Sequence, residues 1–425
     1  MKFRSSNAVV KRVVVHDIRF PTSLDLAGSD AVHSDPDYSL CYVEIKTSDN
    51  LIGYGAAFTL GRGTEVVCSA VSALSGLVEN RRVDEIFANF GKFWRSLTSE
   101  SQLRWIGPES GVIHLACAAI INGLWDLFAK IEGLPVWKLL NSLTPSFLVS
   151  TIDFRYCTDV LTGDEATQLL TEMEAGKEQR VREIEKTGYP AYTTASGWIS
   201  YSDEKMVDLC LKYKEKGFNA FKIKIGLDLE RDYQRCKIMR DHIGYDGASL
   251  MLDSNQVFDV PEAIKWVSHL KEFKPLWIEE VSEMMANRVM FKQFMQLNSF
   301  EYCQIDSARI GGINELLLVY LMAKKFNIKV VPHAGGVALS EMVQHLQFWD
   351  FCSVSGIKQD RFIEFVDQQH EHFIAPATVE NACYTAPKTP GYSTELKAEC
   401  IENFSYPNGK EWQRMFDAKL FPRPN

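Results

Sequence analysis

The chain has 425 residues, of which 46% are hydrophobic and 24% charged, and its formal net charge is −9. Its length allows more than one domain, and its composition is ordinary for a globular protein. The acidic balance provides no basic surface for nucleic acid and does not favour anionic membranes. No apolar run approaches the roughly 20 residues that a membrane helix needs. These numbers argue against nucleic-acid-binding and membrane-spanning roles.

Ten cysteines are scattered along the chain without a C-x-x-C pair. In a chain of this length, that pattern is typical of reduced, buried thiols in an intracellular protein. A strand pattern already begins near Val13, so little of the N-terminus is left to serve as a transit peptide, and no secretory signal is recognised. The cytosol and an organelle matrix are both compatible with the sequence.

Residues from about 8 to 60 alternate like antiparallel strands, with Gly53–Gly55 predicted as a turn. A polar loop from Ser23 to Ser39 interrupts them, and a loop of this length is either functional or a disordered surface segment. The 3.6-residue spacing of apolar residues predicts a helix over Val112–Ile131. Residues 163–187 are highly charged and predict a single solvated helix.

Residues 221–226 alternate apolar side chains with Lys222 and Lys224, which predicts a strand whose two lysines face one side. A solvated edge strand would also explain this pattern. Lysines buried inside a barrel, by contrast, are costly unless they have a function. The segments that follow favour the second interpretation.

Four strand-like runs downstream each end in a polar or charged residue, namely Asp253, Glu279, Asp306 and His333. Counted from Lys224, the steps between these residues are 29, 26, 27 and 27 residues. This is the period of a repeating βα unit, and the active sites of (β/α)8 barrels lie at the carboxyl ends of the strands. The sequence therefore predicts an α/β barrel in which these five side chains meet.

The predicted cluster suits one chemical problem, the removal of a proton next to a carboxylate. Asp253 and Glu279 offer oxygen ligands to a hard cation such as Mg²⁺, and Asp306 can orient His333. Lys224 would take the proton, the metal would stabilise the enediolate, and a general acid would expel a β-hydroxyl. Each residue alone could instead be a helix cap, a salt-bridge partner or a core histidine.

Several motifs together resemble the mandelate racemase branch of the enolase superfamily, and within it the L-fuconate dehydratase group. They are Lys222-Ile223-Lys224-Ile225-Gly226, Asp253-x-Asn255, Trp277-Ile278-Glu279-Glu280 and His333-Ala334-Gly335-Gly336. The resemblance extends over nearly the whole chain, including Leu103–Pro108, Gly188–Thr194, Gln304–Ser307 and Pro390–Glu395.

The resemblance implies a modified TIM barrel, (β/α)7β, covered by an α+β capping domain. We expect the cap over residues 1–150, the barrel over 151–386, and a C-terminal segment, 387–425, that packs back on the cap. The implied protein is a Mg²⁺-dependent hydro-lyase and a homo-oligomer, in the mitochondrial matrix or the cytoplasm. Its substrate would be a small acid sugar similar to L-fuconate, which loses the 3-hydroxyl to give a 2-keto-3-deoxy acid.

Roles are carried over by motif. Lys224 would abstract the α-proton, and His333, oriented by Asp306, would act as the general acid. Asp253 and Glu279 would bind Mg²⁺. The expected substrate-binding residues are Lys222, Trp105, His33, Asp35, Asn255 and Glu364.

The chain departs from the family after Glu280. The family places a third carboxylate ligand on a further strand, whereas here Glu280 is followed within a few residues by Asn287-Arg288-Val289. One βα unit is missing, which leaves seven predicted barrel strands, and closure depends on strand number. Glu283 matches the third-ligand position but lies only four residues after Glu279. Either Glu283 acts as a substitute metal ligand in an imperfectly closed barrel, or the site lacks its third ligand. A splice form and a gene-model error would both explain the missing unit.

Three functions therefore remain open. The first is an acid-sugar dehydratase, and the second is a catalytically impaired homologue that acts as a binding protein. The third is a racemase or epimerase of a hydroxy acid that uses Lys224 and His333 as a pair.

Overall fold

A computed structural model describes residues 7–107, 109–280 and 285–424. The N-terminal part consists of a three-stranded antiparallel sheet in the order β1-β2-β3, followed by helices. Its elements are β1 (Val10–Arg19), β2 (Ser39–Thr47), β3 (Ile52–Thr59), α1 (Thr64–Ser75), α2 (Val83–Ala88), α3 (Phe90–Thr98), α4 (Gly111–Glu132), α5 (Val136–Ser142) and α6 (Pro145–Ser150).

Helix α4 confirms the predicted helix and forms the centre of this layer. It ends at Gly133, whose φ of 71° lies in the left-handed region that favours glycine. By length and composition α4 could cross a membrane, contrary to the expectation from the sequence, but 89% of its apolar window is buried inside the protein. It is therefore a core helix.

The prediction of a turn at Gly53–Gly55 is wrong, because these residues lie within β3. They are glycines for a packing reason: a Cβ atom at Gly55 would overlap the carbonyl oxygen of Ala119 on α4. The absence of side chains allows the helix and the strand to approach closely.

A second region alternates helices with parallel strands. Its elements are α7 (Gly163–Glu172), α8 (Lys177–Thr187), β4 (Tyr189–Thr193), α9 (Asp203–Glu215), β5 (Ala220–Lys224), α10 (Leu229–Ile243), β6 (Ser249–Asp253), α11 (Val260–Leu270), β7 (Ile278–Glu279), α12 (Arg288–Gln296), β8 (Tyr302–Cys303), α13 (Ile313–Lys325), β9 (Lys329–Val330), α14 (Leu339–Asp350) and β10 (Ile363–Phe365). The charged segment 163–187 forms two helices where one was predicted, separated at Gly176, whose φ is 75°.

The seven parallel strands β4 to β10 follow the sequence order of an α/β barrel, but their ladders are interrupted. Strands β10, β4, β5, β6 and β7 pair continuously, while β8 pairs only with β9. Among the described residues, no backbone ladder joins β7 to β8, and we call this interval the seam. On the other side, the Glu364 amide donates to the Pro332 carbonyl at 3.4 Å, which links β10 to the chain after β9.

The seam lies where the sequence predicts a missing βα unit. All five residues of β5 are buried, whereas Ile278 on β7 and Tyr302 on β8 are only half-buried. A cavity of about 440 Å³ lies at the seam, and its lining includes Leu276, Phe300 and His333. The missing strand therefore leaves an opening in the wall that the remaining strands do not fill.

Strands β11 (Val379–Glu380) and β12 (Cys383–Tyr384) lie before residue 387, and β12 pairs antiparallel with β4. The C-terminal segment, 387–425, contains α15 (Ala398–Phe404) and α16 (Lys410–Asp417). It returns to the N-terminal layer: the Tyr392 amide donates to Asp126 at 2.6 Å, and the Trp412 indole donates to the carbonyl of Arg19 at 3.0 Å. These contacts agree with a segment that packs on the cap, while the exact domain bounds stay a prediction.

Candidate active site

The candidate site begins with the alternating strand β5. Its side chains point to opposite faces in turn, so Lys222 and Lys224 share the inner face and are both buried. The parallel register places Lys224 beside Asp253 on β6, and Asp253 beside Glu279 on β7. Local periodicity and strand order together bring two ammonium groups and two carboxylates into contact.

Lys222 lies at the centre of three carboxylates. Its Nζ donates to Glu279 in a short hydrogen bond and lies 3.3 Å from Asp253 and 3.2 Å from Glu364. Burial opposes the charge, but Glu279 and Glu364 raise the pKa of Lys222 well above its ordinary value. Burial raises the pKa of Glu279, although the charge of Lys222 acts in the opposite direction. The pKa of Glu364 is lowered to about 2, because the charge of Lys222 outweighs desolvation there. Lys222 is therefore a permanent cation that binds the cluster together.

Lys224 contacts Asp253 at 2.5 Å and Asn255 at 2.9 Å. Burial opposes its charge, but Asp253 raises the pKa of Lys224 above its ordinary value. In the same contact the pKa of Asp253 is lowered, because the two lysines outweigh desolvation. Lys224 is thus an ammonium in this arrangement, and it must lose a proton before it can act as a base.

His333 and Asp306 form the predicted pair. The Nδ1 atom of His333 lies 2.9 Å from Asp306, and its Nε2 atom lies 3.9 Å from Glu364. Burial raises the pKa of Asp306, but the hydrogen bond with His333 and the charge of Arg309 bring it below its ordinary value. The carboxylate therefore stays ionised and can fix the orientation of the imidazole ring.

A cavity of about 490 Å³ joins these groups. Its lining includes Asp30, His33, Lys224, Asp253, His333 and Glu364. The candidate base and the candidate acid therefore face the same space, which is large enough for a small organic acid.

The structure favours a different acidic residue of the Ser23–Ser39 loop from the one that the sequence suggested. Asp35 is exposed and is not part of the described cavity lining, whereas Asp30 is buried and lines it. Asp30 accepts hydrogen bonds from the amides of Val32 and His33 at 2.8 and 2.6 Å. No spacing rule marks Asp30, because its place depends on how the loop folds over the cavity.

One predicted substrate-binding residue is not part of the described cavity lining. Trp105 is on a helical turn, Arg104–Ile106, and its side chain is 78% exposed. Glu283 lies outside the described residues. Two residues that the sequence did not single out lie at the site: Arg309 lines the cavity, and the ring of Trp198 lies 5.8 Å from the Lys224 ammonium.

The donors present fit a hard divalent cation that keeps other ligands. Asp253 and Glu279 supply neighbouring carboxylates, and Mg²⁺ often uses only one or two protein carboxylates besides water and substrate oxygens. Among the described residues no group of three or more acidic, histidine or cysteine side chains could hold a metal. Burial raises the pKa of Glu279, and a cation bound beside it would favour the ionised carboxylate.

The comparisons with known proteins agree with this geometry. "Mandelate racemase / muconate lactonizing enzyme, N-terminal domain" matches residues 15–141, and "Enolase C-terminal domain-like" matches residues 205–282 and 281–400. The crystal structure of human Mitochondrial enolase superfamily member 1 is 48% identical, with a TM-score of 0.95, covering 98% of this chain and 99% of that one. The chain belongs to the enolase superfamily. Its N- and C-terminal parts are both of the mandelate racemase-like type.

One further relative and one structural neighbour extend the comparison. L-galactonate dehydratase of Hypocrea jecorina is 43% identical over 93% of this chain and 93% of its own length. L-Talarate dehydratase of Polaromonas sp. JS666, solved with Mg and L-glucarate, has a TM-score of 0.70 over 94% of this chain and 98% of that one. It is 18% identical and shows the fold alone.

The superfamily match also locates the seam. The C-terminal match breaks into two segments that meet at residues 281–282, directly after β7 and Glu280. A break there is expected if residues of the family pattern are missing between β7 and β8. This agrees with the interrupted ladders, so the missing βα unit is a feature of the sequence and of the part of the fold that the structure describes.

Proposed function

We propose that the protein is a Mg²⁺-dependent dehydratase of an acid sugar similar to L-fuconate. The observation that supports this most strongly is the shared cavity: Lys224 and His333 face it from different strands, with Asp253 and Glu279 beside them. L-galactonate dehydratase, a relative of 43% identity, is named for a reaction of this class.

In this proposal Lys224 removes the proton on the carbon next to the substrate carboxylate. A bound cation, held by Asp253 and Glu279, would supply positive charge that stabilises the enediolate and disfavours the ammonium form of the lysine. Lys222, predicted to bind the substrate carboxylate, is fully buried among Asp253, Glu279 and Glu364 and is not among the described lining of the cavity, so in this proposal it acts on the carboxylate through its charge. Asn255 orients the Lys224 amine through its 2.9 Å contact.

His333 then donates a proton to the leaving 3-hydroxyl, which departs as water. Asp306 holds the ring through Nδ1, so the Nε2 atom points toward the Glu364 side of the cavity. Loss of the α-proton and the hydroxyl gives an enol, which tautomerises to the 2-keto-3-deoxy acid. Asp30 and Arg309 are further candidates for contacts with the sugar hydroxyls.

The test is an assay of the purified, folded protein with Mg²⁺ and a panel of acid sugars that includes L-fuconate and L-galactonate. These two differ only in a hydroxyl at C6, so their relative rates report on that end of the cavity. A 2-keto product that requires Mg²⁺ and is lost in Lys224→Ala supports the proposal. A folded protein that yields no 2-keto product from any acid sugar would overturn it.

The seam favours a second candidate, a catalytically impaired relative that binds a small acid. That candidate predicts binding of an acid sugar without turnover, which calorimetry together with a product assay would reveal. A racemase or epimerase would exchange the α-proton with D2O without loss of water, an outcome that NMR separates from dehydration.

We also propose a mitochondrial location and a homo-oligomeric state. The human relative is named as a mitochondrial protein. Fractionation of cells and light scattering of the purified protein test the two statements, and a cytoplasmic fraction or a monomeric mass would contradict them.

A further inference from the structure

The seam contains two pairs of side chains that meet directly across it. Trp277 and Glu279 share one face near β7, and Tyr302 and Gln304 share one face at β8, since side chains two residues apart point the same way. The rings of Trp277 and Tyr302 lie 5.0 Å apart, and Gln304 Nε2 donates to Glu279 Oε2 at 2.8 Å.

Glu279 is held by donors from three directions. Lys222 binds its Oε1 atom, while Trp277 Nε1 and Gln304 Nε2 each donate to its Oε2 atom at 2.8 Å. The Glu279 side chain is only 8% exposed. A buried carboxylate with both oxygens engaged has little rotational freedom, so its lone pairs point in fixed directions.

Gln304 can make this contact because the seam lacks a strand. Neighbouring strands lie about 4.8 Å apart, so an inserted strand would hold β7 and β8 about 10 Å apart. It would also place its own inward side chains between Glu279 and Gln304. In this chain Gln304, directly after β8, therefore contacts a carboxylate that would lie two strands away in an eight-stranded barrel.

We propose that Trp277 and Gln304 are positioning residues that hold Glu279 across the seam and thereby set the cation affinity of the site. This inference rests on the metal role that we propose for Glu279. Donors behind a metal-binding carboxylate fix its orientation, and their loss typically costs 10- to 100-fold in metal affinity. Trp277 and Gln304 thus restore part of the order that a complete barrel wall would give to Glu279.

The experiment titrates Mg²⁺ by calorimetry into the wild type, Gln304→Leu, Trp277→Phe and a matched control, Gln296→Leu. Leucine keeps the approximate size of Gln304 and removes its donor. Phenylalanine keeps an aromatic ring against Tyr302 and removes the indole N–H. Gln296 is exposed at the end of α12 and contacts Asp159, so the same Gln-to-Leu change there leaves Glu279 untouched.

We expect the Kd for Mg²⁺ to rise about 10- to 100-fold in Gln304→Leu and Trp277→Phe, and to stay within twofold in Gln296→Leu. The kcat at saturating Mg²⁺ should recover, whereas the Mg²⁺ concentration for half-maximal activity should rise in step with the Kd. This split separates a positioning role from a general loss of structure, which would lower kcat at every Mg²⁺ concentration.

Wild-type affinity in both seam variants would overturn this inference and leave the dehydratase proposal intact. A wild-type protein that folds cooperatively yet binds no Mg²⁺ would overturn both. A lower midpoint of thermal unfolding in the seam variants without any change in Kd would show that the contacts only stabilise the fold, and it would also refute the proposal.

Discussion

Replacing Lys224 with alanine should separate cation binding from proton abstraction. In the folded protein the Lys224 ammonium lies 2.5 Å from Asp253, and both side chains are buried. The Lys224 ammonium is therefore bound to the Asp253 carboxylate, which we assign as a ligand of the metal. Its removal therefore takes away a competitor of Mg²⁺ and, at the same time, the proposed base.

The magnitude follows from the burial of the pair. Removal of one partner of a buried ion pair costs about 3–5 kcal/mol, because the other charge is left uncompensated. Asp253 would keep Lys222 at 3.3 Å as its remaining cation. We expect Lys224→Ala to lose unfolding free energy of this order without Mg²⁺, and to regain about 3 kcal/mol at a Mg²⁺ concentration 100-fold above its Kd.

The assay combines calorimetry with thermal unfolding, with and without Mg²⁺. Lys224→Ala should bind Mg²⁺ at least as tightly as the wild type and show no turnover, whereas Asp253→Ala should lose both properties. Lys237→Ala, at an exposed lysine near Asp241, serves as the matched control. Equal loss of Mg²⁺ binding in Lys224→Ala and Asp253→Ala would refute this account.

Three further predictions concern the acid, a buried ion pair and the cap. Asp306→Asn should slow dehydration by about 100-fold or more but leave exchange of the α-proton with D2O within a few-fold, as measured by NMR; equal losses would contradict separate roles. His370→Gln should cost about 3 kcal/mol of unfolding free energy near pH 6 and almost none near pH 10 in urea titrations. Although burial opposes its charge, Glu341 raises the pKa of His370 from 6.5 to about 9. The stabilisation from this ion pair is therefore complete below pH 6.5 and is lost as the pH rises through 9. A loss of unfolding free energy that does not depend on pH would argue against the ion pair. Gly55→Ala should destabilise the protein by about 1–3 kcal/mol or more, because the new Cβ atom would overlap α4. The control is Gly76→Ala, which should be neutral or stabilising, since Gly76 has a φ of −61° and open space around the position of a Cβ atom. Equal effects of the two substitutions on the unfolding midpoint would contradict the packing argument.

The sequence alone determined the parts of the site that local periodicity controls. Alternation along β5 predicts that Lys222 and Lys224 share a face, and the repeat of 26 to 29 residues places Asp253 and His333 at strand ends. A two-residue period and a βα repeat have the same geometric meaning in any barrel, so these predictions need no knowledge of distant contacts. The gap after Glu280 is also visible in the spacing.

Contacts between distant segments required the tertiary structure. Which aspartate of the Ser23–Ser39 loop lines the cavity, Asp30 or Asp35, depends on how that loop packs, and no periodicity governs an irregular loop. The contact between Gln304 and Glu279 depends on how the wall accommodates a missing strand. It arises because closure is a property of all the strands together, and spacing along the chain says only that a unit is missing. Across that opening the rings of Trp277 and Tyr302 lie 5.0 Å apart, a contact that the spacing along the chain does not predict.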